Sequence, residues 1–415
     1  MRHQAFKFRL YPTKDQAILL AKHFGCARFV YNHALERKNT EYTKGNKISC
    51  HELDAELPDL KQKLPWLSEV NAQSLQSSIR NLDVAFTRFF KKIAEAPTFK
   101  KKFNRQSFQC PQACSVDLEK NLLFIPKFRE GIKAVFHRKP IGEFKTVTIS
   151  RDKAGNHWAS ILCEINVEEP KAKPITEETS IGIDLGLKTF ATLSDGRKFE
   201  SPNCLRSSEK RLAAVQRSFD KKKKKSKNRE KARKRLAKLH WRIANRRNDF
   251  LHKLSCKLVG ENQADTFCME TLNVKGMLKN HCLAKSISDA SWSEFVRQME
   301  YKCTWKGKNL LRIGRFEPSS KTCHGCGFYN KSLKLEDRGW VCPHCHAKLD
   351  RDINAAKNIM TMALLALIHH GEKLGSLHGT GSEDKQSLRS GQPPPKKDAS
   401  FSRASWSNET GSRHL

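Results

Sequence analysis

The chain has 415 residues, with 78 Lys and Arg against 43 Asp and Glu, a formal net charge of +35. That length suits two or three domains, and so large a cationic surplus repels itself unless a polyanion relieves it, which points to nucleic acid and away from membranes. The N-terminus, MRHQAFKFRLYP, has no apolar signal core, and the longest apolar stretch, Ile359 to Ile368, is about half a membrane span, so a cytoplasmic, nucleoid-associated prokaryotic protein is expected.

In chain order, FKFRLYP leads into a helical run from Lys14, with Ile18, Ala21 and Phe24 at helix spacing. Gly25 reads as its end, and a second helix is expected through Phe29 and Ala34. Residues 70–92 form a cleaner helix. Leu75, Ile79, Leu82, Phe86 and Phe89 repeat at steps of four and three and make one apolar stripe. Gln73, Ser77 and Arg80 lie on another face, which is either solvated or enters a DNA groove. PTFKKKFNRQSF (97–108) interleaves aromatic and basic side chains, including Lys100, Lys101 and Lys102, a mix suited to base stacking with phosphate contact. Residues 120–166 read as β, with Val147 and Ile149 alternating, an AGN turn at 154–156, and Trp158, Ser160 and Leu162 alternating again. Pro170 to Pro174 reads as a linker.

At 180 the pattern changes. Ser180 to Leu185 is an apolar strand interrupted by Asp184, Thr189 to Leu193 is a second strand, and Asp195-Gly196 signals a hairpin. A long basic helical region is expected over 205–259, and from Arg217 to Arg247 it carries 16 Lys and Arg against two acids. Leu212, Val215 and Phe219 repeat at helix spacing, as do Leu236, Leu239 and Ile243, so this region has a seam to bury and a basic side to offer. Like charges at i,i+4 repel, and a neighbouring phosphate backbone would remove that cost. A strand ending in FCME (267–270), a helix around 291–301, a strand near 310–316 and a final helix after Asp352 complete the elements. Past about 375 the Gly, Ser, Pro and Lys content is too polar to order itself.

Two constellations carry chemistry. Cys323-x-x-Cys326 and Cys342-x-x-Cys345, fifteen residues apart, supply four thiolates for a tetrahedral structural zinc, with His324, His344 and His346 as the nearest substitutes. The remaining ten cysteines, such as Cys26, Cys163 and Cys268, read as reduced core thiols, and the loosely spaced pair Cys110 and Cys114 receives no assignment. Asp184 and Glu270 each interrupt or end an apolar strand, where a buried charge is costly without a partner. Asp352 opens a helix in LDRDINAAKNI. Each acid alone has an ordinary structural explanation. Together they suit a site for two divalent metal ions, which would activate water and stabilise the leaving oxygen of a phosphodiester.

Several ordered motifs resemble the TnpB (OrfB) family of insertion-sequence proteins, relatives of type V CRISPR effectors. They are FKFRLYPTKDQ with GCARFVYNHAL, PTFKKK, GIDLG with Lys188-Thr189, SKNREKAR, RRNDFLHKLS, METLNVKGM, SISDASWSEFVRQMEYK, SSKTCHGCG and DRDINAAKNI. The likeness covers nearly the whole chain up to about 370. It implies a RuvC-like, RNase H-type α/β fold split by a basic helical insertion and a zinc ribbon, preceded by a recognition lobe of β-barrel and helical bundle. The implied domains are the recognition lobe at 1–170, RuvC-like parts at 171–204, 260–318 and 348–372, the insertion at 205–259, the ribbon at 319–347 and a disordered tail at 373–415.

The resemblance further implies an RNA-guided endonuclease that cleaves double-stranded DNA beside a short flanking motif. Its guide RNA would come from the transposon end. Asp184, Glu270 and Asp352 match the family's acids and would bind Mg2+ (or Mn2+), with Asp350 a neighbouring candidate. Nucleic-acid contacts are expected from Lys7, Arg9, Gln73, Ser77, Arg80, Lys100, Lys101, Lys102, Lys227, Arg229, Arg233, Arg246 and Arg247. A catalytically inactive guided DNA-binding protein and a strand-transfer transposase are the alternatives. His346 stands where many relatives carry Gly, which is expected to alter the local turn.

Overall fold

A computed structural model describes residues 1–103, 105–168, 170–261, 263–314, 317–334 and 336–377, with side chains as far as 368. Its residues divide into two units, Met1–Leu364 and a second that begins at Leu365. The expected tail lies outside the described residues from 378 onward.

The front half opens with strand β1 (Arg2–Tyr11), helix α1 (Lys14–Thr43), short helices α2 (Cys50–Ala55) and α3 (Leu57–Lys63), and helix α4 (Ala72–Phe90). Six strands follow: β2 (Gln106–Cys110), β3 (Ser115–Asp117), β4 (Leu122–Ile125), β5 (Phe128–Val135), β6 (Glu143–Arg151) and β7 (His157–Ile165). With β1 they make an antiparallel sheet in the order β2-β6-β7-β1-β5-β4-β3. Period-two alternation turns Phe6, Phe8 and Leu10 inward, and their core cluster draws residues from β1, β2, β4, β5, β6 and β7, so the sheet curls around one interior. Its hydrogen-bonded ladder ends at β2 and β3, so the expected barrel is, among the described residues, a curled sheet with open edges.

Helix α1 corrects the sequence reading. It runs unbroken through Gly25, behind a capping box in which Gln16 N donates to Thr13 Oγ1 and Thr13 N donates to Gln16 Oε1. Two apolar seams cross the glycine. Leu20, Phe24 and Ala27 fill the sheet core, while Cys26, Val30, Tyr31, Ala34 and Leu35 pack against Leu75, Ile79 and Leu82 of α4. Burial along both seams outweighs the ~1 kcal/mol that a mid-helix glycine costs. In α4, Leu75, Ile79 and Leu82 are buried and Phe86 partly so, but Phe89 at the end of the stripe is exposed.

The second half begins with β8 (Ser180–Leu185), β9 (Thr189–Leu193) and β10 (Lys198–Glu200), followed by helices α5 (Glu209–Asp220) and α6 (Lys227–Glu261). Then come β11 (Thr266–Glu270), α7 (Val274–Met277), α8 (Ala284–Ala290), α9 (Trp292–Lys306) and β12 (Asn309–Ile313). The hairpin β13 (Gly339–Val341) and β14 (Lys348–Asp350) leads into α10 (Arg351–Leu377). The five-stranded sheet has the order β10-β9-β8-β11-β12, antiparallel from β10 to β8 and parallel from β8 to β12. The basic region is two helices, another correction. KKKKK (221–225) leaves the helix, with Lys225 at φ +64° and Ser226 Oγ accepting from Arg229 N. Five successive ammonium groups are better hydrated in a turn than stacked on a helix. The break lets the two expected seams face each other: Leu212 and Val215 of α5 pack beside Leu239 and Ile243 of α6.

A Cβ placed on Gly25 meets nothing within 4 Å, and the residue is helical. Gly25→Ala is therefore expected to stabilise the chain by ~1 kcal/mol in urea unfolding. Destabilisation would mean that the helix breaks there after all.

Candidate active site

Asp184 and Glu270 lie at neighbouring C-terminal strand positions. Strands β8 and β11 are parallel with Ile183 opposite Met269, and the two acids follow directly. The third acid arrives by helix. Gly182 has no side chain, and a Cβ there would stand 1.8 Å from the carbonyl oxygen of Ala356. Helix α10 thus rests directly on β8, and Asp352, one turn before Ala356, is carried to the strand ends. Ala355, Ala356, Ile359 and Ala363 are the small or apolar residues on the buried side of this helix, the last two clustering with Cys268 and Ile313.

The charges respond to this convergence. Burial, then the carboxylates of Glu270 and Asp352, push Asp184 up to about 7, against the opposing pull of the Arg351 guanidinium and the Leu185 N–H. Burial also raises Glu270. Asp352 meets a partner that the sequence did not suggest: Arg338 Nη1 lies 3.4 Å from both its oxygens. Asp350 is occupied differently. Its carboxylate pairs with Lys198 Nζ at 2.7 Å and accepts from the backbone N–H of Asp352 and Ile353, capping α10. Burial opposes its ionisation, but these bonds outweigh burial and hold it below the ordinary carboxylate range.

The four cysteines form a tighter group. Cys323 Sγ and Cys345 Sγ are 3.7 Å apart, Cys326 Sγ and Cys342 Sγ 3.5 Å, and all four sulfurs lie within 4.8 Å of one another. Sulfurs on a tetrahedral zinc with ~2.3 Å bonds stand ~3.8 Å apart, so the thiols fit that ion. Among the described residues the four thiols are the group that stands within metal-ligand reach of one another; the three carboxylates do not form such a group. Little else holds the ribbon: its apolar cluster is Leu333 and Trp340 with the cysteines and Leu349. Helix α10 grips it by two asparagines that sequence reading left without a role. Asn354 accepts from His324 N and donates to Thr322 O, while Asn358 donates to Ser319 O and Thr322 O. His346 adopts φ +59°, the left-handed conformation held by Gly327 at the matching point of the first knuckle, φ +74°.

The expected nucleic-acid residues divide. Lys227, Arg246, Lys101 and Lys102 are exposed, as is Arg80, 3.9 Å from Asp54. Gln73 is half-buried and bonded to Gln112. Lys7 is exposed along its stem while its ammonium lies over the Trp158 ring, and burial followed by Arg105 lowers its pKa. Lys100 likewise sets its ammonium 3.5 Å from the Tyr31 ring centre, where burial lowers it to about 8.

Others have partners within the chain. Ser77 is buried and donates to Gln73 O. Arg9 donates to Asn156 and lies over Trp158 and Trp241, and Arg233 pairs with Glu230. Arg229 donates to Phe219 O and Lys222 O, closing the α5–α6 turn. Arg247 pairs with Asp289, which also accepts from Leu205 N.

Comparison with known proteins agrees with this arrangement. A Streptomyces pristinaespiralis protein named "Putative RNA-guided DNA endonuclease" is 42% identical over 369 residues, 88% of this chain and 90% of that one. An Escherichia coli K12 protein of the same name, with the suffix InsQ, is 34% identical over 377 residues, 86% and 92% of the two chains. The chain belongs to the TnpB (OrfB) family. The OrfB IS605 model, described as "Probable transposase", matches residues 160–281 of this family member, and a "Cas12f1-like, TNB domain" model matches 292–359. A "Helix-turn-helix domain" model matches 1–47, where the structure has β1 and the single helix α1. The solved Cas12f1-sgRNA-target DNA complex shares the fold, with a TM-score of 0.51 at 16% identity over 84% of this chain and 83% of that one. Among the described residues, no helix is long and apolar enough to cross a membrane.

Gly182→Ala is expected to destabilise the chain by ~3 kcal/mol or more, because the backbone of α10 must retreat. Gly260→Ala in α6, where the added Cβ meets nothing within 4 Å, is expected to be neutral or stabilising. Equal urea midpoints for the two variants would refute the close approach. At the ribbon, His346→Gly is expected to gain ~1 kcal/mol by relieving the left-handed histidine, read as slower zinc release to a chelator.

Proposed function

We propose that this chain is an RNA-guided endonuclease that hydrolyses phosphodiester bonds of double-stranded DNA beside a short flanking motif. Its guide RNA would derive from the end of the transposable element that encodes it. The observation that carries the reading is the convergence of Asp184, Glu270 and Asp352 from two strand ends and one helix start, with Asp184 raised by burial and then by the charges of its two neighbours. Gathered and partly buried carboxylates are costly unless cations complete them.

In this reading the parts are a recognition lobe at 1–170, RuvC-like parts at 171–204, 260–318 and 348–372, a basic insertion at 205–259, the zinc ribbon at 319–347 and the tail at 373–415. Asp184, Glu270 and Asp352 would hold two Mg2+ ions, with Mn2+ as a substitute, and Cys323, Cys326, Cys342 and Cys345 one structural zinc. The divalent ions would supply an activated water and a Lewis acid for the leaving oxygen. The acids contribute the ligand set. Gly182 lets α10 deliver Asp352, and Asp350 fixes the helix start that aims it. Arg338, brought from the ribbon, neutralises Asp352 until a cation replaces it. The exposed Lys101, Lys102, Lys227 and Arg246 would meet phosphates of the guide and target.

Two outcomes test this. Asp184→Ala, Glu270→Ala and Asp352→Ala should each lower cleavage of a guide-matched duplex by ~10³ or more with RNA binding kept. Cleavage surviving all three changes would end the assignment. The second outcome concerns charge. Asp184 has a folded pKa near 7 against 3.8 ordinarily, so in the metal-free chain its destabilising effect grows from about pH 4 to pH 7 and is complete above. Asp184→Asn should therefore raise metal-free stability more at pH 8 than at pH 5, while wild-type cleavage falls as pH drops below 7. A pH-independent effect of the substitution would show that the cluster is not electrostatically strained.

A further inference from the structure

Sequence spacing left Cys110 and Cys114 without a role, but the fold brings them together. Cys110 ends β2 fully buried, and Cys114, half-buried, returns to it through the turn Pro111-Gln112-Ala113. Ala113 holds φ +56°, a left-handed conformation that costs a non-glycine residue ~1 kcal/mol or more. The turn places Cys114 Sγ 3.4 Å from Gln112 O and 3.7 Å from Cys110 O, so the second thiol lies against the residue that carries the first. On its other side Cys110 Sγ lies 3.7 Å from the hydroxyl of Ser74, in the first turn of α4, and Asn71 also bonds it. These donors, Cys114 first, outweigh burial and pull Cys110 below an ordinary thiol, while Cys114 is raised as the proton holder. The pair is thus one exposed-side thiol backed by one buried sulfur with thiolate character, both fixed by a strained turn.

We propose that Cys110 and Cys114 form a reversible oxidation site that closes to an intramolecular disulfide by exchange with a small-molecule disulfide such as oxidised glutathione. Cys114, the accessible member, passes its proton to Cys110 and its sulfur attacks one glutathione sulfur. The glutathione S–S bond breaks, a Cys114–glutathione bond forms, and one glutathione thiolate leaves. The Cys110 sulfur, losing its proton, then attacks Cys114 and expels the second glutathione thiolate. The two protein sulfurs are oxidised by two electrons, the glutathione disulfide is reduced to two glutathione sulfurs, and the one proton the pair held ends on one of them while the other takes its proton from water. In a reducing compartment such a bond is transient. The zinc thiols are engaged elsewhere, and the proposal does not depend on nuclease activity.

The test uses the full zinc-loaded chain exposed to oxidised glutathione, alkylated, digested with trypsin without reductant and read by mass. Both thiols fall in one peptide, residues 106–120. The expected product is that peptide lighter by two hydrogens, with less than about a tenth of it carrying glutathione, and restored by dithiothreitol. The exposed Cys256 and Cys282 should carry glutathione under the same conditions. Cys110→Ser should leave Cys114 trapped as the mixed disulfide, and Cys114→Ser should leave the buried Cys110 unmodified. A native peptide that stays reduced while Cys256 reacts, or that stops at the glutathione adduct, would overturn the proposal.

Discussion

The site depends on one close approach, that of helix α10 to strand β8 at Gly182. A strand in the middle of a sheet normally keeps a helix at a distance set by its side chains. Here the missing Cβ lets the Ala356 carbonyl reach the strand backbone, and small residues at 355 and 356 complete the fit. The same helix then serves three directions. Its first turn aims Asp352 at the strand ends, its apolar side covers β11 and β12 through Ile359 and Ala363, and Asn354 and Asn358 hold the ribbon. A shift of α10 would move all three together, so the acids, the sheet and the zinc ribbon are mechanically one assembly.

Electrostatics runs in two opposed directions across this chain. The chain as a whole is strongly cationic, while the strand ends gather carboxylates, and burial together with their repulsion lifts Asp184 toward neutrality. A polyanion alone would worsen the second problem, since phosphate brought near three acids is repelled by them. In the proposed reading divalent cations would relieve the second, bridging acid and phosphate. Meanwhile Arg338 and Lys198 provide partial neutralisation, each assigned to a different aspartate of the DRD sequence. This division of labour also explains why two acids two residues apart are not equivalent: one caps the helix, the other faces the strands.

Much of this was legible from residue pattern. The strands at 180–185, 189–193 and 266–270, the β-rich 120–166 segment, the α4 stripe and the four-thiol cluster follow from periodicity and spacing. Local rules failed where tertiary packing or charge prevailed. Gly25 reads as a helix end, but burial in the sheet core on one side of it and against α4 on the other carries α1 through it. KKKKK reads as part of one helix, but its repulsion is released in a turn. For Arg9, Arg229, Arg233 and Arg247 the sequence reports charge and not partners; each has an internal acceptor, ring or acid beside it. Arg338, Asn354 and Asn358 carried no spacing signal, since their partners lie far away in the chain or in a loop. At His346 the second knuckle takes the same left-handed conformation that Gly327 has in the first.

The claim at the centre is that Asp184, Glu270 and Asp352 grip divalent cations. A Mn2+ titration of the zinc-loaded chain followed by electron paramagnetic resonance tests it directly, without guide or target. Wild-type protein is predicted to take up Mn2+ that Mg2+ displaces, with affinity that tightens as pH rises through 7, and the chain lacking all three carboxylates to take up none at that site. Identical Mn2+ uptake by the two proteins would contradict the account.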